Sequence, residues 1–340
     1  MKKINKIHIN DIEKNIGGCL VKIEHTFIKK LLKKASKSNN PYNNRKFIED
    51  IGLTFNDSTK RCIGIASLIK HNRAIEFSTL QKLKILSNSS WLDIEKNLIS
   101  IRLGRHKGEI FPKFPIRLDK KMGSVVGHIL GDGSIDKRYL QISYNNKDRD
   151  LIIEFRDCMR KIFGIEPRIW VQESGKFKVK TKWISRLENV KDIQQDTQVS
   201  LFYPSICGLF LNSIFGDFAI GADKKITDNI NRTQKEFKIG LVRAFFDDEC
   251  HIDKERGPRV YQDDELMLIR LKNILDELGI HSFPVRCYFR RNKPQYFFNI
   301  NQKKNYLRYY ELIGFTSKKK ERTLEALVKK PRQYRLKNFP

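Results

Sequence analysis

The chain has 340 residues, a hydrophobic content of 40% and a formal net charge of +28 from 67 basic and 39 acidic residues. The length favours two or three domains, and no apolar run approaches the roughly 18 residues of a membrane span, which excludes an integral membrane protein. Six scattered cysteines without a C-x-x-C pair argue against a disulfide framework or structural zinc, and the charge favours nucleic acid as a partner, although a lysine-rich proteome would raise it too.

Residues 1–118 carry 24 basic and 10 acidic residues and are predicted to form a mainly α-helical domain. An amphipathic helix is expected over residues 16–34. Two pairs of short helices follow, at residues 45–53 with 58–70 and 78–86 with 91–101. A helix, a short turn and a second helix outline a helix-turn-helix, which would place the basic residues 102–107 near a DNA backbone. A plain helical bundle without groove contacts fits the same pattern.

A short apolar helix ending at Asp132 is predicted after a stiff, proline-containing linker at residues 111–115. Gly123, Gly127 and Gly131 recur at every fourth position of this helix and therefore share one face. Each glycine costs about 1 kcal/mol against alanine inside a helix. The backbone of another element is therefore expected to approach this face closely.

The segment that follows this helix is predicted to contain a strand at residues 139–144, a helix at 148–163, a hairpin at 168–173 and 176–183, and a helix at 203–215. The second hairpin strand alternates basic and other residues, so its lysines share one face: Lys176, Lys178, Lys180 and Lys182. A sheet that faces DNA is the preferred interpretation, and a solvated sheet face is the alternative. Residues 224–235 are expected to form a polar connection.

The same order of motifs recurs from residue 236. A second apolar helix, with Gly240 and Ala244 four positions apart, ends at Glu249, and both helices are followed by Ile-Asp-Lys, which in the first copy ends at Lys137. A strand at 259–262, a helix at 265–278, strands at 284–291 and 295–301, a helix at 302–313 and a basic tail follow. The first of these strands carries Arg259, and the hairpin formed by the other two carries Arg286, Arg290, Arg291 and Lys293. The ordered recurrence predicts a duplicated domain, with repeats at 119–235 and 236–340.

The stretches Met122 to Gly133 and Ile239 to Cys250 resemble the two signature motifs of single-chain LAGLIDADG homing endonucleases. The resemblance covers about the last two-thirds of the chain. It implies an α+β fold with a duplicated αββαββα domain of pseudo-twofold symmetry, here preceded by the mainly α-helical N-terminal domain. It also implies that the signature helices pack at the axis and that Asp132 and Glu249 are catalytic metal ligands, assisted by the backbone carbonyls of Gly131 and Asp248. Cys250 departs from the pattern, because the first copy has Gly133 there.

Two acids at the ends of packed helices suit phosphodiester hydrolysis, in which divalent metals about 4 Å apart activate water and stabilise the leaving oxygen. Mg²⁺ prefers oxygen ligands, so we expect it as the cofactor, with Mn²⁺ substituting and Ca²⁺ supporting binding without cleavage. Each acid taken alone would be read as an ordinary helix-end residue; their matching positions favour metal binding. The family also places a basic or polar residue from each half near the scissile phosphate, for which Lys180 and Arg290 are candidates.

These features predict a site-specific double-strand DNA endonuclease that acts as a monomer on a long, asymmetric target read in the major groove. We expect it to be cytoplasmic, and nucleoid-associated when bound. The sequence ends without a splice-junction His-Asn, which favours a free-standing or intron-encoded enzyme over an intein. A non-catalytic DNA-binding regulator of the same fold and an intron RNA maturase are the alternatives.

Overall fold

The computed structural model describes residues 3–12, 18–60, 62–104, 108–174, 179–185, 197–221, 223–253, 257–300 and 302–329. Three larger sheets organise these residues: a four-stranded sheet near the N-terminus, a seven-stranded sheet in the first repeat and a four-stranded sheet in the second. Among the described residues, no helix has the length and apolar character needed to cross a membrane.

The N-terminal part combines short helices with a sheet. Its elements are β1 (Lys6–Ile7), α1 (Ile9–Ile12), β2 (Cys19–Ile23), α2 (His25–Ser36), a 3-10 turn (Pro41–Asn43), α3 (Arg45–Asp50), α4 (Ile63–His71), β3 (Ile75–Glu76), α5 (Phe77–Leu86), α6 (Trp91–Lys96), β4 (Leu98–Leu103), β5 (Glu109–Ile110) and β6 (Ile116–Arg117). The strand order of the sheet is β3-β2-β4-β5, with antiparallel neighbours.

Several of the helix bounds predicted in this region were wrong, and the helix expected over 58–70 begins only at Ile63. The helix expected over residues 16–34 begins only at His25, because Cys19, Val21 and Ile23 alternate with less buried residues as in a half-buried strand. The helix expected over 91–101 ends at Lys96, and the segment Leu98–Leu103, in which Ile99 and Ile101 alternate with polar residues, forms β4. The N-terminal part is therefore a mixed α/β unit, in which α2 packs on α5 and α5 packs on β2 in one apolar core.

The first repeat is built on the seven-stranded sheet, whose order is β10-β9-β11-β8-β7-β12-β13. Its elements are α7 (Lys120–Leu130), β7 (Gly133–Ile135), β8 (Ile142–Asn146), α8 (Arg149–Phe163), β9 (Arg168–Ser174), β10 (Val179–Ile184), β11 (Gln198–Tyr203), α9 (Ser205–Phe215), β12 (Ala219–Ile220), β13 (Asp223–Lys224) and α10 (Asp228–Asn231). The hairpin β9–β10 was predicted from the sequence, whereas β11, which lies between β9 and β8, was missed.

The second repeat is built on the four-stranded sheet, whose order is β14-β15-β17-β16. Its elements are α11 (Lys235–Glu249), β14 (Cys250–Asp253), β15 (Gly257–Gln262), α12 (Glu265–Glu277), β16 (Arg286–Arg290), β17 (Lys293–Asn299), α13 (Lys303–Leu312) and α14 (Lys318–Lys329). Because β17 pairs with β15 as β11 pairs with β8, β11 is the counterpart of β17. Strand β10 is an additional edge strand of the first repeat.

Helices α7 and α11 pack against each other at the centre of the duplicated fold. A Cβ atom added at Gly123 would overlap the carbonyl oxygen of Phe237, and one added at Gly127 would overlap that of Leu241. From the other helix, a Cβ at Gly240 would overlap the carbonyl oxygen of Lys120. The glycines are thus where the two backbones touch, and Ala244 lies opposite Gly127. This close packing brings the C-terminal ends of both helices together.

Candidate functional site

Three carboxylates meet where the two signature helices end. Asp132 follows Gly131, the C-cap residue of α7, whereas Asp248 and Glu249 lie in the last turn of α11. Partial burial and then the Asp248 carboxylate raise the pKa of Asp132 to about 6. Burial and then the Asp132 carboxylate raise the pKa of Glu249 to about 7. Asp132 and Glu249 are therefore close enough to repel each other, and their negative charge is not fully compensated.

Two lysines lie at the same place, one from each repeat. The Nζ atom of Lys224, in β13, donates a hydrogen bond to the carbonyl oxygen of Gly131. The Nζ atom of Lys320, in α14, donates to the carbonyl oxygens of Phe246 and Asp247. Both ammonium groups act to lower the pKa of Asp132 and of Glu249, against the larger effect of burial.

Both of these lysines were missed from the sequence, where Lys180 and Arg290 were selected instead. A signal was present, since Lys224 follows the Ile-Phe-Gly motif ending at Gly216 and Lys320 follows the matching Leu-Ile-Gly motif ending at Gly314. The hydrogen bond from Lys224 also occupies the carbonyl of Gly131, one of the two main-chain oxygens that the resemblance assigned to metal.

The Asp248 side chain extends into the first repeat. Its carboxylate is fully buried and accepts hydrogen bonds from Tyr144 Oη at 2.8 Å, His128 Nδ1 at 3.0 Å and Asn146 Nδ2 at 3.2 Å. Burial by itself lowers the pKa of His128, but Asp248 and Glu154 outweigh it and raise this pKa to about 10. His128 is thus a packed, charged residue of the helix interface.

The donor set at the helix ends fits a hard divalent cation. Asp132 and Glu249 offer carboxylate oxygens, and no group of three or more potential His, Cys, Asp or Glu ligands occurs among the described residues. A cation that takes one or two carboxylates and completes its shell with waters and phosphate oxygens, as Mg²⁺ does, matches this set. Burial raises the pKa of the Cys250 thiol to about 12, so Cys250 is protonated in the metal-free protein.

Cys250 also leaves the backbone after Glu249 unstrained. Its φ is −94°, in the extended region, so this position does not require the glycine that the first copy has. A cavity of about 400 Å³ adjoins the helix ends; its lining includes Asp132, Asn146, Asp248, His251, Lys319 and Lys320. Asp132 therefore borders a cavity that lysine side chains also line.

The second repeat presents one basic and aromatic sheet face. Cross-strand pairing places Arg259 opposite Asn299, Arg286 opposite Phe297, and Arg290 opposite Lys293. The rings of Tyr261, Tyr288 and Phe297 contact one another on this face, with centroids 5.7–6.3 Å apart. None of the residues that β15, β16 and β17 contribute to it is acidic. Arg291 lies in the turn between β16 and β17, with φ of 50°.

The corresponding face of the first repeat is polar and aromatic but nearly uncharged. Strands β8, β9 and β11 contribute Ser143, Asn145, Trp170, Gln172, Ser200 and Phe202 together with a single charged residue, Arg168. The Arg168 guanidinium lies over the Trp183 ring, 4.7 Å from its centroid. The two sheets thus present different chemistry on equivalent faces.

Lys182 lies on the opposite face of the first sheet. It pairs with the buried Val171 and forms a 2.8 Å ion pair with Glu173. Lys180 belongs to the same strand, but its side chain, like Lys176 and Lys178, is outside the described residues. Lys182 was expected on a sheet face that binds DNA. It lies instead on the face opposite to the one that corresponds to the arginine-rich face of the second repeat. Lys137 is exposed in the turn after β7.

In the N-terminal part, helices α5 and α6 are joined by residues 87–90. Helix α6 has only six residues, exposes Leu92 and Asp93, and buries Glu95, which accepts a hydrogen bond from the Ile9 amide at 2.8 Å. Residues 105–107 of the basic tail lie outside the described residues. A cavity of about 820 Å³ separates the end of the N-terminal sheet, at Leu103, from Phe202 on the first-repeat face.

Comparison with known proteins identifies the duplicated region. The LAGLIDADG-like domain family matches residues 119–196 and 236–314, whereas no curated protein matches the chain significantly.

Mesophilic variants of the homing endonuclease I-DmoI share 13% identity over 58% of this chain and 90% of theirs, with a TM-score of 0.39. I-DmoI in complex with DNA and Mn shares 12% identity over 58% and 97%, with a TM-score of 0.39. The N-terminal LAGLIDADG domain of DUF199/WhiA shares 12% over 64% and 85%, with a TM-score of 0.36. The two matched segments carry the two signature helices, so each repeat of the duplicated α+β region contains a match to the LAGLIDADG-like domain family.

Proposed function

We propose that the protein is a site-specific homing endonuclease that hydrolyses both strands of a DNA duplex with a divalent metal. The observation that carries this proposal is the meeting of Asp132 and Glu249, with raised pKa values, at the ends of the two packed signature helices. Carboxylates that repel each other in a partly buried site fit a cation held between them. Mg²⁺ is the proposed metal, with Mn²⁺ as a substitute and Ca²⁺ as an ion for binding alone.

Each residue of the site has a distinct task in this proposal. Asp132 and Glu249 hold the metal, which when bound supplies an activated water and Lewis-acid stabilisation of the leaving oxygen. Asn146 Nδ2 donates to Asp132 Oδ2 at 2.9 Å and orients that carboxylate. Lys224 and Lys320 place two positive charges beside the acids, where they would offset the charge of a scissile phosphate.

The two sheet faces are proposed to bind DNA in neighbouring major-groove segments. Arg259, Arg286, Arg290 and Lys293 supply phosphate and base contacts in the second repeat, while the first repeat reads its segment through amide, hydroxyl and aromatic groups. Because the faces differ in residue type, the target is proposed to be long and asymmetric, bound by one monomer in the cytoplasm. Lys182 is not part of this surface; the N-terminal part, adjacent to the first-repeat face, is proposed to contact flanking DNA.

The test is selection followed by cleavage. Duplexes from a randomised library would be selected on the purified protein in Ca²⁺, transferred to Mg²⁺, and their ends sequenced. Asp132→Asn and Glu249→Gln should bind the same duplexes and leave them intact. Asp217→Asn and Glu265→Gln, which change exposed acids of the same two repeats, should still cut. Selective binding without cleavage by the unaltered protein would favour the regulator, and enrichment of structured RNA in place of duplex would favour the maturase.

A further inference from the structure

Asp248 occupies a position for which the first signature helix has only Gly131. The two residues interlock: a Cβ atom added at Gly131 would lie 2.6 Å from Asp248 Cβ and 2.5 Å from Asp248 Oδ2. The missing side chain of the first copy therefore makes the room that the Asp248 side chain fills. A carboxylate with no solvent exposure is costly unless it is paired and hydrogen-bonded.

Every hydrogen bond described for that carboxylate comes from the other repeat. Tyr144 Oη and Asn146 Nδ2 donate to Oδ1 at 2.8 and 3.2 Å, and His128 Nδ1 lies 3.0 Å from Oδ2. The backbone N–H of Asp132 also donates to Oδ2, at 3.3 Å. Asp248 thus contacts the main chain of the proposed metal ligand and, through Asn146, its carboxylate.

A second row of charges holds His128 in place. Its Nε2 lies 3.5 Å from Glu154 Oε2, and Arg243 donates to Glu154 Oε1 at 2.6 Å and to Ser124 Oγ at 3.2 Å. Arg243 and Asp248 both belong to α11. The chain of contacts from Arg243 through Glu154 and His128 to Asp248 therefore starts and ends on the same helix. It ties α11 to α7 and α8 and leaves Asp248 little freedom to turn back toward Glu249.

The second repeat has no equivalent arrangement among the residues that the structure describes. Gly133 pairs with Tyr144 as Cys250 pairs with Val260, so the counterpart of Tyr144 is apolar. The counterpart of His128 in the aligned signature helix is Phe245. The network therefore supports Asp132 and offers no matching support to Glu249.

We infer that Asp248 is a positioning residue that reaches across the pseudo-twofold axis and fixes Asp132, but not Glu249, before metal and DNA bind. This rests on the proposed function for its catalytic consequence. Because the pseudo-twofold axes of enzyme and duplex would coincide, each acid lies nearer to one scissile phosphate. The two strand cuts then depend unequally on Asp248.

The first readout needs neither metal nor DNA. Amide hydrogen exchange would be measured on the full-length, metal-free protein and on Asp248→Ala, Asp248→Asn and Tyr144→Phe. Asp248→Ala should raise exchange at the Asp132 amide by about tenfold or more, since an acceptor is removed, with little change at the Cys250 amide. Asp248→Asn retains the volume, so a folded comparison exists if the alanine variant fails to fold. Unchanged exchange at Asp132 in every folded variant would overturn the inference.

The second readout is strand-resolved single-turnover cleavage of a selected duplex. Asp248→Asn should slow one nick by about tenfold more than the other, so that one nicked species accumulates. Tyr144→Phe should change the two nicking rates in the same direction as Asp248→Asn, but by less. Gln262 is the counterpart of Asn146 in the second repeat, and Gln262→Ala serves as the control. Equal slowing of both nicks would overturn the inference. If the unaltered protein cuts no duplex, the endonuclease proposal fails while amide exchange still decides the role of Asp248.

Discussion

The side chain of Lys224 binds the main-chain carbonyl of Gly131, the residue that directly precedes Asp132. Lys320 binds the carbonyl of Asp247 near the end of the other signature helix. Each repeat therefore contributes one cation to the C-terminal end of a signature helix, where the helix dipole favours positive charge. These lysines lie beside the acids but belong to other elements than the signature helices, since Lys224 is in β13 and Lys320 in α14.

Removing either charge should slow DNA cleavage more than it weakens binding. Lys224→Met and Lys320→Met should each lower the single-turnover rate by roughly 10²-fold, because the site then lacks a preorganised charge near the scissile phosphate. The dissociation constant, measured in Ca²⁺, should change much less. Lys225→Met and Lys319→Met alter the neighbouring lysines and are the matched controls. Equal effects in the control variants would show that overall charge, and not position, is responsible.

Divalent-metal affinity should fall as the solution becomes acidic. Protons compete with the metal for two carboxylates whose pKa values are about 6 and 7 in the metal-free protein. Titration with Mn²⁺ should give an affinity that levels off above about pH 8 and falls steadily below pH 7. Glu249→Gln should make the pH dependence shallower, since one competing proton is removed. A pH-independent affinity between pH 5 and 8 would contradict this expectation.

The same raised pKa values predict the sign of a stability change. An acid whose pKa is raised on folding destabilises the folded state above that pKa, and the penalty is relieved as the pH falls through it. Metal-free Asp132→Asn and Glu249→Gln should therefore melt at higher temperature than the unaltered protein at pH 8. The difference should shrink at pH 5, where the acids are largely protonated. Melting curves at both pH values, recorded with a chelator, test this.

The glycines between α7 and α11 should be intolerant of side chains. Gly123→Ala and Gly127→Ala should destabilise the protein by roughly 2 kcal/mol or more, because each new Cβ meets backbone that cannot move aside easily. Gly64→Ala is the control, since its Cβ would make only ordinary contacts, the nearest at 3.7 Å, within an α-helix. That change should be neutral or stabilising by about 1 kcal/mol. Urea denaturation of the three variants gives the comparison.

The sheet faces should differ in the salt dependence of DNA binding. Arg286→Ala combined with Arg290→Ala should make the slope of log affinity against log salt shallower by up to about 0.9 for each phosphate that the variant no longer neutralises. Lys182→Ala should leave the slope nearly unchanged, because Lys182 pairs with Glu173 on the opposite face. A larger effect from Lys182→Ala would show that DNA follows the other face of the first sheet.

The sequence was informative where local spacing determines which residues meet. Glycines four positions apart predicted that another backbone would approach α7 closely. The family resemblance, and not the spacing, implied that this backbone is α11 and that Asp132 and Glu249 are neighbours. It was uninformative where the outcome depends on pairing between distant segments. The face of Lys182 follows from the register of β10 on β9, and the orientation of Asp248 follows from partners such as Tyr144, more than 100 residues away. Segments such as Gln198–Tyr203 are too short for their hydrophobic pattern to distinguish a strand from a helix.

The most direct test of the central claim is the rate of double-strand cleavage of a selected duplex in Mg²⁺. We expect cuts in both strands at one long asymmetric site by the unaltered protein. Asp132→Asn and Glu249→Gln should each reduce the rate by several orders of magnitude and retain Ca²⁺-dependent binding. Undiminished cleavage by either variant would show that the paired acids at the helix ends are not the catalytic centre.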